Sequence, residues 1–241
     1  MRRFFTRTNT LNIRTLIDTL ASASMIVASG VVIWSFASRP GTTTPESSMV
    51  VPREPISISG LPKLGLQTAP AVLLMFSDFQ CPYCQAFARD VFPVLKERYI
   101  DKGALEVAFQ HFPLTIHLAA RPAPEAAVCA DRQGRFWTLH DRLFTLPKLD
   151  TEAIRRVVKE EHLDDRAFES CSTSGEASKV VEADLLVGQR WRVTGTPAFM
   201  IGRRLPDSTV KINSVVVGAR PLEEFTVALD ALINQNAPVL R

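Results

Sequence analysis

AVLLMFSDFQCPYC, residues 71–84, decides the fold. Ala71 to Phe76 is short, uncharged and apolar and lies between Pro70 and Asp78, the pattern of a buried strand. From Pro82 the rhythm turns helical, with Cys84, Phe87, Ala88, Val91, Leu95 and Tyr99 on one face. Cys81 then falls just before the first turn, and Pro82 takes the first helical position, where a missing N–H costs nothing. A thiol there meets unpaired backbone N–H groups and the positive end of the helix dipole. Both favour the thiolate, the form that attacks disulfides. Cys84 lies one turn further in, within bonding reach of Cys81 but more shielded. The spacing predicts a redox pair, with Cys81 attacking and Cys84 resolving.

A CxxC alone is a weak signal. It can be half of a zinc site, but tetrahedral zinc needs two more ligands at their own close spacing. The remaining cysteines, Cys129 and Cys171, are far apart and carry no such partner, so no metal site is expected. A structural Cys81–Cys84 bridge would add little, because the entropic gain grows with loop length. The strand-to-helix setting favours redox chemistry. The rival use of the two sulfurs is holding a soft ion such as Cu(I) for delivery.

The 241 residues are 46% hydrophobic and 22% charged, suiting one ordinary domain plus extensions. The net charge of +3 is unevenly spread: residues 1–39 hold five Arg and one Asp, so the rest is near neutral. Nothing in that balance suggests nucleic acid. Arg2, Arg3, Arg7 and Arg14 precede Leu20–Ser38, which has no charge. At about 1.5 Å per residue this run reaches roughly 28 Å, close to the hydrocarbon thickness of a bilayer. The arginines place residues 1–19 in the cytoplasm and make residues 20–38 a transmembrane anchor, with Trp34 near its outer end. The competing reading is a cleaved signal peptide ending near Ser35-Phe36-Ala37. Either way the body is exported, so the expected location is the inner membrane, single-pass, with the domain in the periplasm or its equivalent, where disulfides persist. Residues 39–53, rich in Pro, Ser and Thr, form an extended linker, and residues 54–241 the folded domain.

Within that domain, Ile56–Leu66 suggests a short edge strand. Pro93 should divide the first helix and Gly103 end it. Leu105, Val107 and Phe109 alternate as a second strand. Helical patterns follow over Ala119–Gln133, Phe136–Phe144 and Thr151–Glu161. Glu176–Trp191 is another, with Ala177, Val181, Leu185 and Gly188 on one stripe. Then come an apolar strand starting at Pro197, a turn over Gly202–Ser208, a strand Val210–Val217, and a final helix from Pro221 to about Asn234. The order predicts an α/β fold, a βαβ unit plus a ββα unit, with a helical insertion at about 118–175.

FSDFQCPYC at 76–84, HFPL at 111–114, CADRQGRFWTLHDRLF at 129–144 and GTPAFMI at 195–201 together resemble the DsbA-like branch of the thioredoxin-fold thiol–disulfide oxidoreductases, in its bacterial membrane-anchored or secreted form. The likeness spans about residues 54–236. It implies the thioredoxin fold, Cys81 as nucleophile, Cys84 as resolving thiol, and a Thr196–Pro197 substrate-binding loop with a cis bond beside them. It implies no diffusible cofactor, since the electrons reside in the cysteine pair. Its partners would be exported proteins with cysteines and a membrane redox protein. One departure stands out: relatives commonly carry a buried acid six residues before the first active-site cysteine, and here Met75 holds that place. Asp78, at the strand end, is expected to be solvated or capping.

In an exported domain Cys129 and Cys171 read as a structural disulfide, with two separate thiols as the alternative. His111 and His140 fall in the family-like motifs, yet read as packed structural residues rather than catalysts. The expected activity is disulfide formation or exchange on exported proteins, through a mixed disulfide at Cys81 that Cys84 resolves. A reductase or isomerase would use the same residues in the other direction.

Overall fold

The computed structural model describes residues 49–117 and 121–234. The predicted anchor at 20–38 lies outside them. Among the described residues no helix is long and apolar enough to cross a membrane.

Five strands form one sheet: β1 (Lys63–Leu64), β2 (Ala71–Ser77), β3 (Leu105–His111), β4 (Ala198–Arg204) and β5 (Val210–Val217), in the order β1-β3-β2-β4-β5. β2 and β3 run parallel, from Ala71 opposite Leu105 to Ser77 opposite His111, while the other pairings are antiparallel. The parallel pair is joined by α1 (Pro82–Asp90), α2 (Phe92–Leu95) and a π-helical turn, Lys96–Ile100. Pro93 divides the helix where its missing N–H and ring allow no continuous ladder. Gly103, at φ +71°, turns the chain back into β3. The insertion comprises α3 (Pro122–Asp131), α4 (Phe136–Thr145), α5 (Thr151–Glu160) and α6 (Asp165–Thr173). α7 (Glu176–Arg190) leads back to β4, and α8 (Leu222–Asn234) closes the ββα unit.

β2 is buried along its whole length because both faces of the sheet are covered, which is why it reads as a continuous apolar run. Its side chains alternate between two cores. Leu73 and Met75, with Val107, Phe109, Phe199 and Ile201, pack under α1, the insertion and α8. Val72, Leu74 and Phe76, with Ala108, Met200 and Ile212, face Met49, Ile58 and the α7 residues Leu185 and Val187. α7 comes this close because position 188 is glycine: a Cβ there would stand 2.3 Å from Phe112 Cε2.

The structure differs from the sequence expectations at several points. β4 runs on through Arg204, so the turn sits at Leu205–Thr209 instead of Gly202–Ser208; pairing with β5 holds Gly202 and Arg203 in the ladder. α5 starts at Thr151 as expected and is capped by Asp150, whose carboxylate accepts from Ala153 N–H. The apolar stripe of α7 contains a buried acid, Asp184, next to the half-buried Leu185. Only Lys63–Leu64 of the 56–66 segment forms the edge strand. Ile56 bridges to Val210 at the opposite edge, so the intervening chain crosses one face of the sheet. Met49 is buried, and Val50 N–H donates to Trp191 O at 2.9 Å, so residues assigned to the linker also pack on the domain.

Candidate active site

β2 delivers the chain to Ser77 and Asp78, and a tight turn closed by Cys81 N–H to Asp78 O (3.1 Å) leads into α1. Cys81 is the N-cap of that helix, with extended backbone (φ −74°, ψ 121°) and Pro82 immediately after it. Its thiol donates to the Thr196 carbonyl at 3.2 Å. That carbonyl belongs to the loop before β4, where Thr196–Pro197 is cis, so the two segments predicted to form the site do meet. The Cys81 and Cys84 thiols are unlinked, 3% and 1% exposed, with Cys84 the more covered.

The electrostatics separate the two sulfurs. Cys81 is lowered to about 5, first by hydrogen bonding with the Cys84 thiol, then by the Thr196 side chain and the backbone N–H groups of Cys84 and Tyr83, all acting against burial. Cys84 is pushed well above the ordinary thiol range, by burial first and then by the Cys81 sulfur. The Asp78 N–H and the Ser77 side chain offset part of that. At neutral pH the pair therefore carries one charge, on Cys81, the sulfur at the helix terminus. A groove of about 380 Å³ opens beside Cys81, lined on the insertion side by Leu143, Leu146, Pro147 and Leu149. Gln85 Nε2 donates to Phe144 O at 2.9 Å and ties α1 to the insertion.

Asp78 is neither solvated nor a cap of α1. Its side chain has no exposed surface. Oδ1 accepts from Gln80 N–H at 2.8 Å, and Oδ2 accepts from Leu114 N–H at 2.8 Å and lies 2.6 Å from His117 Nδ1. Sequence reading could not find this, because Leu114 and His117 approach from beyond the end of β3. Met75, at the position where the resemblance leads one to look for an acid, sits in the core opposite Phe109 and Phe199.

His111 and His140 are buried among Phe79, Phe109 and Phe136. Burial, and then His140, lowers His111 to about 3, and burial lowers His140 against the pull of Asp141. Both are thus neutral packing residues at physiological pH. Cys129 on α3 and Cys171 on α6 are joined, with Sγ–Sγ 2.05 Å, away from the redox turn and inside the insertion.

A βαβ unit and a ββα unit with two thiols at the first helix terminus, facing a cis-proline loop, define a thioredoxin-fold protein. A family model described as Thioredoxin matches residues 60–230, most of the chain. The probable disulfide bond formation protein D of Bacillus anthracis is 32% identical over 153 residues, covering 59% of this chain and 70% of the relative. Among solved structures, α-DsbA1 of Wolbachia pipientis superposes with a TM-score of 0.66 at 24% identity, covering 75% of this chain and 94% of that one. Oxidised BdbD of Bacillus subtilis gives 0.65 at 22%, covering 78% and 99%. The chain belongs to the thioredoxin family and is a thiol–disulfide oxidoreductase of the DsbA type.

Proposed function

We propose that Cys81 and Cys84 are the attacking and resolving thiols of an oxidant that introduces disulfides into exported proteins. The observation that carries this reading is the position of Cys81. It caps α1 beneath the Thr196 carbonyl, with its pKa drawn down to about 5 while Cys84 is driven up. A substrate thiolate attacks the Cys81 sulfur of the oxidised pair, and Cys84 leaves with the electron pair and takes up a proton. A second substrate thiolate then attacks its partner sulfur in the mixed disulfide. Cys81 leaves as a stabilised thiolate, and the substrate departs with a disulfide. Stabilising that thiolate stabilises the reduced pair, which makes the oxidised pair a strong oxidant. The Thr196–Pro197 loop faces the reacting sulfur and is the segment beside which an extended substrate would lie.

The same reading places residues 1–19 in the cytoplasm and residues 20–38 as a membrane anchor. The linker ahead of the packed residues Met49 and Val50 then tethers the domain on the outer side, where a membrane redox partner reoxidises Cys81 and Cys84. The run of uncharged residues after four arginines supports this part. Equilibrating the pair against defined glutathione ratios tests the direction. A potential close to about −120 mV fits the oxidant, and one close to about −270 mV would instead mean a reductase or isomerase.

A further inference from the structure

Asp78 is engaged through its backbone and both carboxylate oxygens. Its carbonyl accepts from Cys81 N–H at 3.1 Å. Its own N–H is, with the Ser77 side chain, one of the groups that favour charge on the Cys84 sulfur. Its carboxylate, wholly covered, holds Gln80 N–H, Leu114 N–H and the His117 ring. The segment carrying those last two groups is further pinned by Phe112 N–H to Ser77 O at 2.9 Å. One buried residue thus joins the redox turn to the segment after β3. His117, with 16% of its side chain exposed, forms the outer end of that connection. A buried carboxylate left with a missing donor is costly, so the arrangement holds together or shifts as a unit.

We propose that Asp78 is a positioning residue for the resolving thiol and that His117 is the latch that holds it. The carboxylate fixes the turn so that the Asp78 N–H stays on the Cys84 sulfur whenever that sulfur carries charge. This rests on the assignment of Cys81 as attacking and Cys84 as resolving thiol. In the resolving step Cys84, its proton already lost to solvent, attacks the Cys81 sulfur of the mixed disulfide. The Cys84–Cys81 bond forms, the Cys81–substrate bond breaks, and the electron pair leaves on the substrate sulfur. The charge on Cys84 before that step is buried and has few donors. Cys81 has its own, the N–H groups of Tyr83 and Cys84. Disturbing Asp78 should therefore slow the second step and spare the first.

Reduced full-length protein mixed with one equivalent of 5,5′-dithiobis(2-nitrobenzoate) separates the two steps. The first thionitrobenzoate is released when Cys81 attacks, the second when Cys84 resolves. Asp78→Ala and His117→Leu should each slow the second release by about tenfold, the worth of one hydrogen bond to a charged group, and change the first by less than about twofold. His117→Asn, which keeps an N–H near the place of Nδ1, should restore the second release to within about threefold of the parent. Should Asp78→Ala fail to fold, His117→Leu carries the test, since it leaves the carboxylate and its two backbone donors in place. Equal slowing of both phases, an unchanged second phase in folded His117→Leu, or no recovery with His117→Asn overturns the proposal. Failure of the redox assignment looks different: a fast first phase would survive Cys81→Ser.

Discussion

Cys81–Cys84 and Cys129–Cys171 are both buried pairs, yet one is two open thiols and the other a closed bond. The contrast lies in what surrounds the sulfurs. Cys81 stands at a helix N-terminus, with the N–H groups of Tyr83 and Cys84 and the Thr196 side chain favouring the thiolate. Cys129 and Cys171 lie within helices, packed against Val128, Phe168, Ala177 and Val181. Covering a thiol raises the cost of its charge, and only donors aimed at the sulfur reverse that. On the proposed reading the first pair is the one that exchanges, while the second is closed and ties α3 to α6.

The largest expected effect tests that division of labour. Cys81→Ser should reduce thiol–disulfide exchange with a cysteine peptide to the uncatalysed rate. Cys84→Ser should accumulate mixed disulfides visible on a non-reducing gel, because the route out is lost. Replacing Cys129 and Cys171 by Ala should leave the exchange rate within about twofold, as expected for a distant, independent site. Equal trapping by Cys81→Ser and Cys84→Ser would reverse or dissolve the assigned roles. Loss of exchange in the folded Cys129→Ala/Cys171→Ala protein would erase the contrast between the pairs.

The second effect is on stability and belongs to the closed pair. Its cysteines are 42 residues apart, which on the chain-entropy account corresponds to at most about 4 kcal/mol. For a chain of this size that amounts to a fall in Tm of roughly 10 °C. Calorimetry of the oxidised parent and the Cys129→Ala/Cys171→Ala protein measures it. No shift would mean that the bridge constrains nothing the helices do not already fix.

The same contrast explains what was legible in the sequence. β2, α1 and the placing of Cys81 and Cys84 at its start follow from local pattern: an apolar run, a proline at the first helical position, and cysteines three apart. Three of the insertion helices and α8 follow equally from periodicity, whereas α6 (Asp165–Thr173) is not singled out. What escaped depends on chain brought from a distance. Asp78 looks like a solvated strand end until Leu114 and His117 arrive to satisfy it. Asp184 breaks an apolar stripe, but Gln110 Nε2 and His111 N–H bond its carboxylate from the end of β3. Burial pushes that carboxyl up to about 6 even so. Gly202 has the look of a turn residue, yet a Cβ there would stand 2.4 Å from Lys211 O, so the glycine permits the close approach of β5. Buried polar residues are satisfied non-locally, and hydrophobic periodicity carries no record of their partners.

The smallest effect per measurement is a pH dependence that should separate the two pairs. In the reduced protein the Cys81 pKa of about 5 lies below its ordinary value of 9.0. Between those values the unfolded chain holds a proton that the native state has lost, so native stability rises with pH, by at most about 1.4 kcal/mol per pH unit. This contribution is complete above the unfolded pKa and is lost as pH falls through about 5. Cys84, raised well above 9.0, stays protonated in both states across pH 6 to 8 and is silent there. Titrations common to both forms cancel when the oxidised protein is subtracted. Urea midpoints of the reduced and oxidised forms, with Cys129–Cys171 intact in both, should therefore shift in favour of the reduced form between pH 6 and 8. A constant difference would mean that Cys81 remains a thiol at neutral pH, no better prepared to attack than either cysteine of the insertion.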